Sequence, residues 1–481
     1  MARYKEDHRE TLQFIVGSLD LLLPPGSVAR AIRAGLDALD FSIFDAEYRN
    51  DATGRPALDP RSLAAVWILG MLRGETSSVR LATLCTGDIE FRWLAGDAPV
   101  EKSTLCDFRR GRGELLARLG AQVLDALGRN GLLPGEHMGV DGTVVRAAAS
   151  RHAVRRRRSL QSQRTRLEEL LRDRLSGADG EEAAAESREA GALRRRKERL
   201  DRALAEMDTL GLSEEEDRLT VTEPEAGLKR QKDGSFAPGH NAQVVTDLAS
   251  GAIVHAQVVE AGGDGGQLQP QLAGAREALV GVGAGPGPVR SITADGAYHD
   301  TLQLVAIEGS GVCCYVPEDR SANRTAPGVS PEYRPEAFAY DGETDTMRCP
   351  LGERLRRRKL NNSGTAVVYQ ASSGVCGSCP AKPQCCPKSR EGRCVSRPLH
   401  RETLDTVAGR LETAEGKRRR RARWVVCEGA FARLTELLHW RRCRMWGRKG
   451  AQMELLWRQF AHNLLLLTGV WKPIVPAGVA G

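Results

Sequence analysis

Two aspartates in this chain each close a short apolar stretch and lead into a Gly-containing turn. One lies in Met138-Gly-Val-Asp141-Gly-Thr-Val-Val-Arg146, the other in Val289-Arg-Ser-Ile-Thr-Ala-Asp295-Gly-Ala-Tyr298. A carboxylate at the end of a buried strand is costly unless it is paired or binds a metal. One Asp-Gly alone reads most simply as a turn. Two such stretches, in a topology that can bring them side by side, restrict the fold far more than either does. With a third carboxylate they would make a cage of hard oxygen ligands suited to Mg²⁺.

The charge balance gives that cage a substrate class. The net charge is +8, and a basic protein with paired acidic metal ligands suggests metal-assisted cleavage or transfer of a phosphodiester. The positive residues are clustered at Arg155 to Arg158, Arg194 to Lys197, Arg356 to Lys359 and Lys417 to Arg421. Such clusters fit a long polyanion better than a small acidic ligand. Solvated helix faces with Glu partners are an equally good account of Arg194 to Arg199. Lys417 to Arg421 has few acidic neighbours after Glu415 and is the stronger candidate for phosphate contact. No stretch approaches the 18 or so apolar residues of a membrane span, and the start carries no apolar core of a secretory signal. The expectation is a cytoplasmic protein with no membrane partner.

Along 481 residues the chain should hold several domains. Residues 1–130 read as a helical DNA-binding or dimerisation domain. Leu12, Ile15, Val16 and Leu19 recur at helical spacing, as do Val28, Ile32 and Leu36. Gly54-Arg-Pro-Ala-Leu-Asp-Pro60 ends in a cap, Asp59, followed by Pro60 in a first helical turn. Residues 131–317 and 400–470 read as the core that carries the aspartates, with a charged helical insertion over 150–230 interrupted at Ser176 to Gly180. From Gly239 the period changes to two, and Ala242 to Asp247 and Ala252 to Val259 are strands joined by Ala249-Ser-Gly251. The Gly/Pro stretch Gly281 to Pro288 precedes a strand, so it is not a phosphate loop. Residues 318–399 read as irregular and cysteine-bearing, and 471–481 as a tail. The fold class is α/β (α+β): a mixed sheet flanked by helices, with an N-terminal helical domain, a helical-hairpin insertion and a small cysteine-rich insertion.

The third carboxylate should come from the helix that starts in the basic run. In Trp424-Val-Val-Cys-Glu428-Gly-Ala-Phe431-Ala-Arg-Leu434-Thr-Glu436-Leu-Leu438, positions 424, 427, 428, 431, 434, 435 and 438 share one face. Glu428 then falls on the apolar stripe and Glu436 outside it. The bland alternative for Glu428 is an ion pair with Arg421 or a neighbour.

With these residues in place the chain resembles the DDE transposases of bacterial insertion sequences, which have a ribonuclease H-like catalytic core. Gly54 to Pro60, Arg73-Gly74, Ser77 to Arg80, Cys85, Phe91 to Leu94 and Thr104 to Phe108 are similar to the family's N-terminal helical domain. Val140-Asp-Gly-Thr143 with Ala149-Ser150, Gly239-His-Asn-Ala-Gln243, Ala294-Asp-Gly-Ala-Tyr298 and Glu428-Gly-Ala-Phe431 resemble the successive catalytic segments. Arg444-Met-Trp-Gly447, Lys449, Glu454 and Ala461-His-Asn-Leu464 follow in the family's order. Gly296 and Ala297 are exchanged relative to the usual Asp-x-Gly-Tyr. Thr435 stands where a Lys is common, with Arg433 as a substitute DNA contact.

The resemblance implies Asp141, Asp295 and Glu428 as catalytic ligands of two Mg²⁺ per site, with Mn²⁺ an alternative. It further implies double-stranded DNA, both element ends and target, as partner, a homo-oligomer, and a nucleoid-associated place in a bacterial cell. Arg418, Arg419, Arg420, Arg421 and Arg433 are the candidate DNA contacts. Two rival classes stand: an inactive or domesticated DNA-binding protein, and a metal-dependent nuclease without transfer activity.

Six of the twelve cysteines fall between 349 and 394. Disulfides seldom persist in the cytoplasm, so Cys349, Cys376-Gly-Ser-Cys379 and Cys385 or Cys386 read as a structural Zn²⁺ site, with Cys394 open. The alternative is reduced cysteines without metal. His137, His240 and His462 read as packing or capping residues, and no Gly-x-Ser-x-Gly elbow is present.

Overall fold

The computed structural model describes residues 17–47, 57–111, 113–175, 183–231, 234–260, 262–280, 282, 289–318, 328–362 and 364–475. Leu12, Ile15 and Val16, the Gly54 to Pro56 part of the turn signature, Ser176 to Gly180 and all of Gly281 to Pro288 except Val282 lie outside them. The chain forms two compact units. No helix among the described residues is long and apolar enough to cross a membrane.

The first unit comprises Met1–Leu127, Ala432–Arg441 and Leu456–Lys472. Its central helix is Pro60–Leu72. Asp59 caps it by accepting from Arg61 N at 2.9 Å, and Ser62 through Met71 are buried all round. A helix apolar on every side belongs in the middle of a bundle. Val28–Asp37 is amphipathic by contrast, burying Ala29, Ile32 and Leu36 at helical spacing behind a Ser27 cap. The unit takes in the second half of the helix Gly447–Leu467, which the sequence reading placed with the core. The reason is aromatic: Phe108 packs on Trp457 with ring centroids 5.9 Å apart, and Trp457 on Phe460 at 6.3 Å.

The second unit, Gly128–Phe431, Arg442–Leu455 and Pro473–Gly481, carries the sheet that positions the site. Its strands are β1 (His137–Arg146), β4 (Leu228–Arg230), β5 (Phe236–Asp247), β6 (Ile253–Val259), β7 (Ser291–Thr293) and β8 (Cys313–Tyr315). Their order is β4-β5-β1-β7-β8, with β6 also on the outer edge of β5. β1 is antiparallel to β5 and parallel to β7, and β7 is parallel to β8. This is a mixed α/β arrangement consistent with a ribonuclease H-like core. β5 and β6 form the expected hairpin, tied by the buried Asp247, which accepts from Ala249 N at 3.0 Å and Ser250 N at 2.9 Å.

Between β1 and β5 the chain makes a helical hairpin, Arg157–Leu175 and Ala183–Thr209, as expected. The hairpin has its own small core of Leu160, Leu167, Leu200, Ala203, Leu204 and Met207. Strands β2 (Val154–Arg156) and β3 (Arg218–Thr220) pair across its base.

The cysteine-bearing segment differs from the sequence reading. It is not irregular but an antiparallel sheet of five strands, in spatial order β13-β12-β11-β10-β9. These are β9 (Ala339–Asp341), β10 (Thr346–Arg348), β11 (Arg354–Leu360), β12 (Ala366–Gln370) and β13 (Cys394–Pro398). One face closes on Phe338, Met347, Leu355, Val367, Tyr369 and Val395. β11 reads Arg-Leu-Arg-Arg-Arg-Lys-Leu and buries only Leu355, so composition hid the strand.

Candidate active site

The site begins with strand register. In the parallel β1–β7 pair, Gly139 lies opposite Thr293. Asp141 and Asp295 each stand two residues further on, so the same register sets them side by side on one face. Asp141 lies within β1, its side chain 11% exposed, and takes a hydrogen bond from Gly142 N at 2.9 Å. Asp295 lies just beyond β7, 44% exposed, and caps the short turn Gly296–Tyr298 by accepting from Ala297 N at 2.9 Å.

The helix Ala414–Ala432 lies against this face of β1. Gly139 makes the close approach feasible: a Cβ there would come within 2.7 Å of Cys427 Sγ and 2.6 Å of Leu248 Cδ2. Cys427 is fully buried and contacts Thr246 Oγ1 at 3.1 Å. One turn earlier the same helix face delivers Arg423, whose side chain is 11% exposed. Its Nη2 lies 2.6 Å from Asp141 Oδ1 and 3.2 Å from Asp295 Oδ2, and its Nε donates to Val140 O at 3.3 Å. Both aspartates therefore converge on one buried cation.

Burial pushes the Asp141 carboxyl up to about 6. Arg423 and the Gly142 N–H pull against that, while the charges of Asp295 and Glu428 add to it. Glu428 is thus within electrostatic reach of Asp141, but its orientation corrects the sequence reading. It is exposed, as is Trp424, and the buried face of the helix is Ala422, Val426, Cys427, Ala430 and Phe431. Cys427 faces Gly139 where the backbones are close, and the buried stripe is rotated away from positions 424 and 428. Glu436, the carboxylate assigned no role, pairs with Arg441 in the other unit.

A hydrogen-bonded set of polar side chains lies beside the aspartates. Tyr298 is buried and donates to Gln243 Oε1, and Gln243 Nε2 donates to Asp264 Oδ1 at 2.7 Å and Asn241 Oδ1 at 2.9 Å. Gln243 and Asn241 belong to the Gly239 to Gln243 motif. Asp264 and Arg423 were missed in the sequence. For Arg423 the available signal was its spacing of four from both Arg419 and Cys427.

The basic run divides by role. Arg418 and Arg419 both pair with Glu415, and Arg419 also donates to His137 Nε2 at 2.7 Å. Lys417, Arg420, Arg421, Arg423 and the exposed Trp424 line an open cleft of about 480 Å³ that has Asp295 and Thr293 in its wall. Arg433 is turned into the first unit, where it donates to Lys472 O at 2.6 Å and lies over the Trp471 ring. The histidines take packing and pairing positions: His137 contacts Ser291 Oγ at 2.9 Å, His240 contacts Glu223 at 2.8 Å, and His462 lies buried against Trp471.

Among the described residues, no group of three or more His, Cys, Asp or Glu side chains is arranged to hold a metal ion. For the cysteines this leaves structural zinc at Cys349, Cys376, Cys379 and Cys385 unsupported. Cys385 and Cys386 are buried in the core of the small sheet with Cys349 and Cys376 packed against it, while Cys379 is not part of that cluster. Burial pushes the Cys385 thiol up to about 11, which favours the protonated form. For the aspartates the donor chemistry does suit a divalent ion. Two hard carboxylates already share one cationic centre, the Arg423 guanidinium, with a third carboxylate near by.

Two segments of the chain match known families. Residues 17–111 match a transposase domain (DUF772), and residues 348–468 match a transposase DDE domain. The second match covers strands β11 to β13 of the small sheet and Glu428, and Asp141 and Asp295 precede it. No curated protein and no solved structure matches the chain. Together the two family matches support an insertion-sequence DDE transposase, in agreement with the motifs.

Proposed function

We propose that this transposase binds the terminal inverted repeats of its element and performs metal-dependent strand cleavage and strand transfer at Asp141, Asp295 and Glu428. The observation that carries the reading is the in-register convergence of Asp141 and Asp295 on one cation at the edge of a basic cleft. Asp141 and Asp295 would hold divalent metal, with Glu428 closing the set from the helix. When bound, Mg²⁺ would supply Lewis acidity and lower the pKa of the attacking water or 3′-OH. Lys417, Arg420 and Arg421 would hold backbone phosphates along the cleft, and Trp424 offers an exposed aromatic face beside them. The low exposure of Asp141 keeps water from competing for its oxygens.

The test is direct. Purified protein incubated with Mg²⁺ and a duplex carrying the element's own flank should nick at the element end, and the freed 3′ end should then join to a second duplex. Cutting without end preference or joining would replace this reading with a plain nuclease. End binding with no cutting in Mg²⁺ or Mn²⁺ would replace it with a DNA-binding protein.

The cleft adds a second expectation. Cationic side chains that hold phosphates release counterions on binding, so affinity falls with salt by roughly 0.9 in log–log slope per phosphate contacted. Replacing Lys417, Arg420 and Arg421 together by Gln should flatten the slope by about 2 to 3. The same change at Arg155, Arg156 and Arg158, at the base of the hairpin, serves as the comparison. Equal slopes in the two triple variants would remove the cleft as the phosphate track.

A further inference from the structure

Arg423 occupies a position that is awkward for a residue merely supporting the fold. Its guanidinium takes one oxygen of each aspartate, and these are the oxygens the proposed function needs for metal. A divalent ion bound to Asp141 Oδ1 and a guanidinium nitrogen 2.6 Å from the same oxygen would be two cations contending for one ligand. Both partners of the pair are largely removed from water, so the guanidinium would be costly to leave with no carboxylate or substitute anion at all. The guanidinium remains charged: burial opposes the charge, but the carboxylates of Asp141 and Asp295 raise its pKa above the usual value.

Arg423 also lines the cleft beside Lys417, Arg420 and Arg421. A phosphate lying there would offer the guanidinium a replacement for the carboxylates, and the planar fork of Arg matches phosphate as well as it matches carboxylate. The exchange asks for side-chain rotation on a helix that is anchored independently by buried Val426 and Cys427.

Resting on the metal-site reading above, we infer that Arg423 is a latch that couples metal loading to DNA. Without DNA its guanidinium pairs with Asp141 and Asp295 and weakens metal binding. With an element end in the cleft, a backbone phosphate draws the guanidinium away and frees the aspartates. Thermodynamic linkage then requires that DNA strengthen metal binding and metal strengthen DNA binding by the same factor.

The experiment measures Mn²⁺ affinity of the full chain by paramagnetic resonance, with and without an end-containing duplex. The wild type should bind Mn²⁺ about tenfold or more tightly with DNA than without, the usual range of such coupling. Arg423→Gln should bind Mn²⁺ without DNA nearly as tightly as the wild type does with it, and should gain little from DNA. A merely structural role for Arg423 would lower Mn²⁺ affinity on substitution. Unchanged or weaker Mn²⁺ binding by folded Arg423→Gln overturns the latch. Should that variant not fold, the wild type decides alone, since equal Mn²⁺ affinities with and without DNA also overturn it. Asp141→Asn separates the two levels: if it retains Mn²⁺ binding in every state, the metal-site reading fails and the latch with it. If it loses Mn²⁺ binding while the wild type shows no coupling to DNA, the latch alone fails.

Discussion

Asp141→Asn should lower the rate of strand cleavage by about 10³-fold or more, equivalent to roughly 4 kcal/mol of transition-state stabilisation, while end binding measured without divalent metal stays near the wild-type level. The substitution keeps the shape of the side chain and removes its charge. Asp141 is the better enclosed of the two strand carboxylates, and it is the closer of the two to the shared cation, at 2.6 Å against 3.2 Å. It does not line the cleft, whose cations carry the proposed phosphate contacts, so affinity and catalysis should separate.

Stability should not fall with activity. The folded-state pKa of Asp141 is raised, from 3.8 to about 6. A raised acid binds its proton more tightly when folded, so this group's contribution is most favourable below its unfolded pKa. That contribution is lost as pH rises through about 6. At neutral pH the charged form is the costly one, and a neutral Asn relieves that cost while giving up part of the Arg423 pairing. Single-turnover nicking of an end-containing duplex, read beside a melting curve, checks both parts. A variant that cuts at the wild-type rate would sink the assignment. Glu428→Ala should likewise stop cleavage, and Glu436→Ala, at a partly exposed pair with Arg441, should not.

The strand half of this site was legible because strand periodicity is rigid. Side chains alternate and parallel neighbours keep register, so two apolar stretches that both end in Asp-Gly point to one place. The helix half was less legible. An apolar stripe counted from Trp424 assumes that the largest apolar residue faces the core, whereas the close contact with β1 at Gly139 is made by Cys427, and the buried face runs through Ala422, Val426, Cys427, Ala430 and Phe431. Trp424 is left 65% exposed at the cleft, and Glu428 turns with it. Arg423 was hidden for a different reason. Five consecutive basic residues precede Ala422 and Arg423, and nothing in composition tells the one guanidinium that turns inward from those that remain in water. The small sheet was missed because its central strand carries five basic residues among seven. Alternation of Lys and Arg with only two leucines gives no period to count.

Glu223→Ala should destabilise the second unit by about 3 to 5 kcal/mol, the summed cost of leaving the hydrogen-bond partners of a buried carboxyl unsatisfied. Glu223 is 2% exposed and His240 is 3% exposed. One carboxylate oxygen accepts from Ala149 N at 2.8 Å, and the other from Gly447 N at 2.9 Å and contacts His240 Nε2 at 2.8 Å. Three separate segments thus meet on one side chain: the exit of β1, strand β5, and the first residue of the helix Gly447–Leu467. A carboxylate at that helix start is further favoured by the unpaired N–H groups of the first turn. Alanine leaves a buried N–H at Ala149, a part-buried one at Gly447 and the buried His240 imidazole without that acceptor, each worth about 1 to 3 kcal/mol when buried and unsatisfied. Glu223→Gln keeps the volume and one acceptor oxygen, so it should lose about half as much. Glu216→Ala is the matched control. Its carboxylate pairs with Arg156 and Arg158 but is 54% exposed, and exposed pairs contribute about 0 to 1 kcal/mol. Urea denaturation followed by the fluorescence of Trp446, next to Gly447, reads the loss most directly against tryptophan-free backgrounds elsewhere. Because Ala149 and β5 flank the strand that carries Asp141, the Glu223→Ala midpoint should also fall in step with loss of Mn²⁺ binding. A Glu223→Ala protein as stable as the Glu216→Ala control would mean that water replaces the carboxylate, and that these three segments are held together by packing alone.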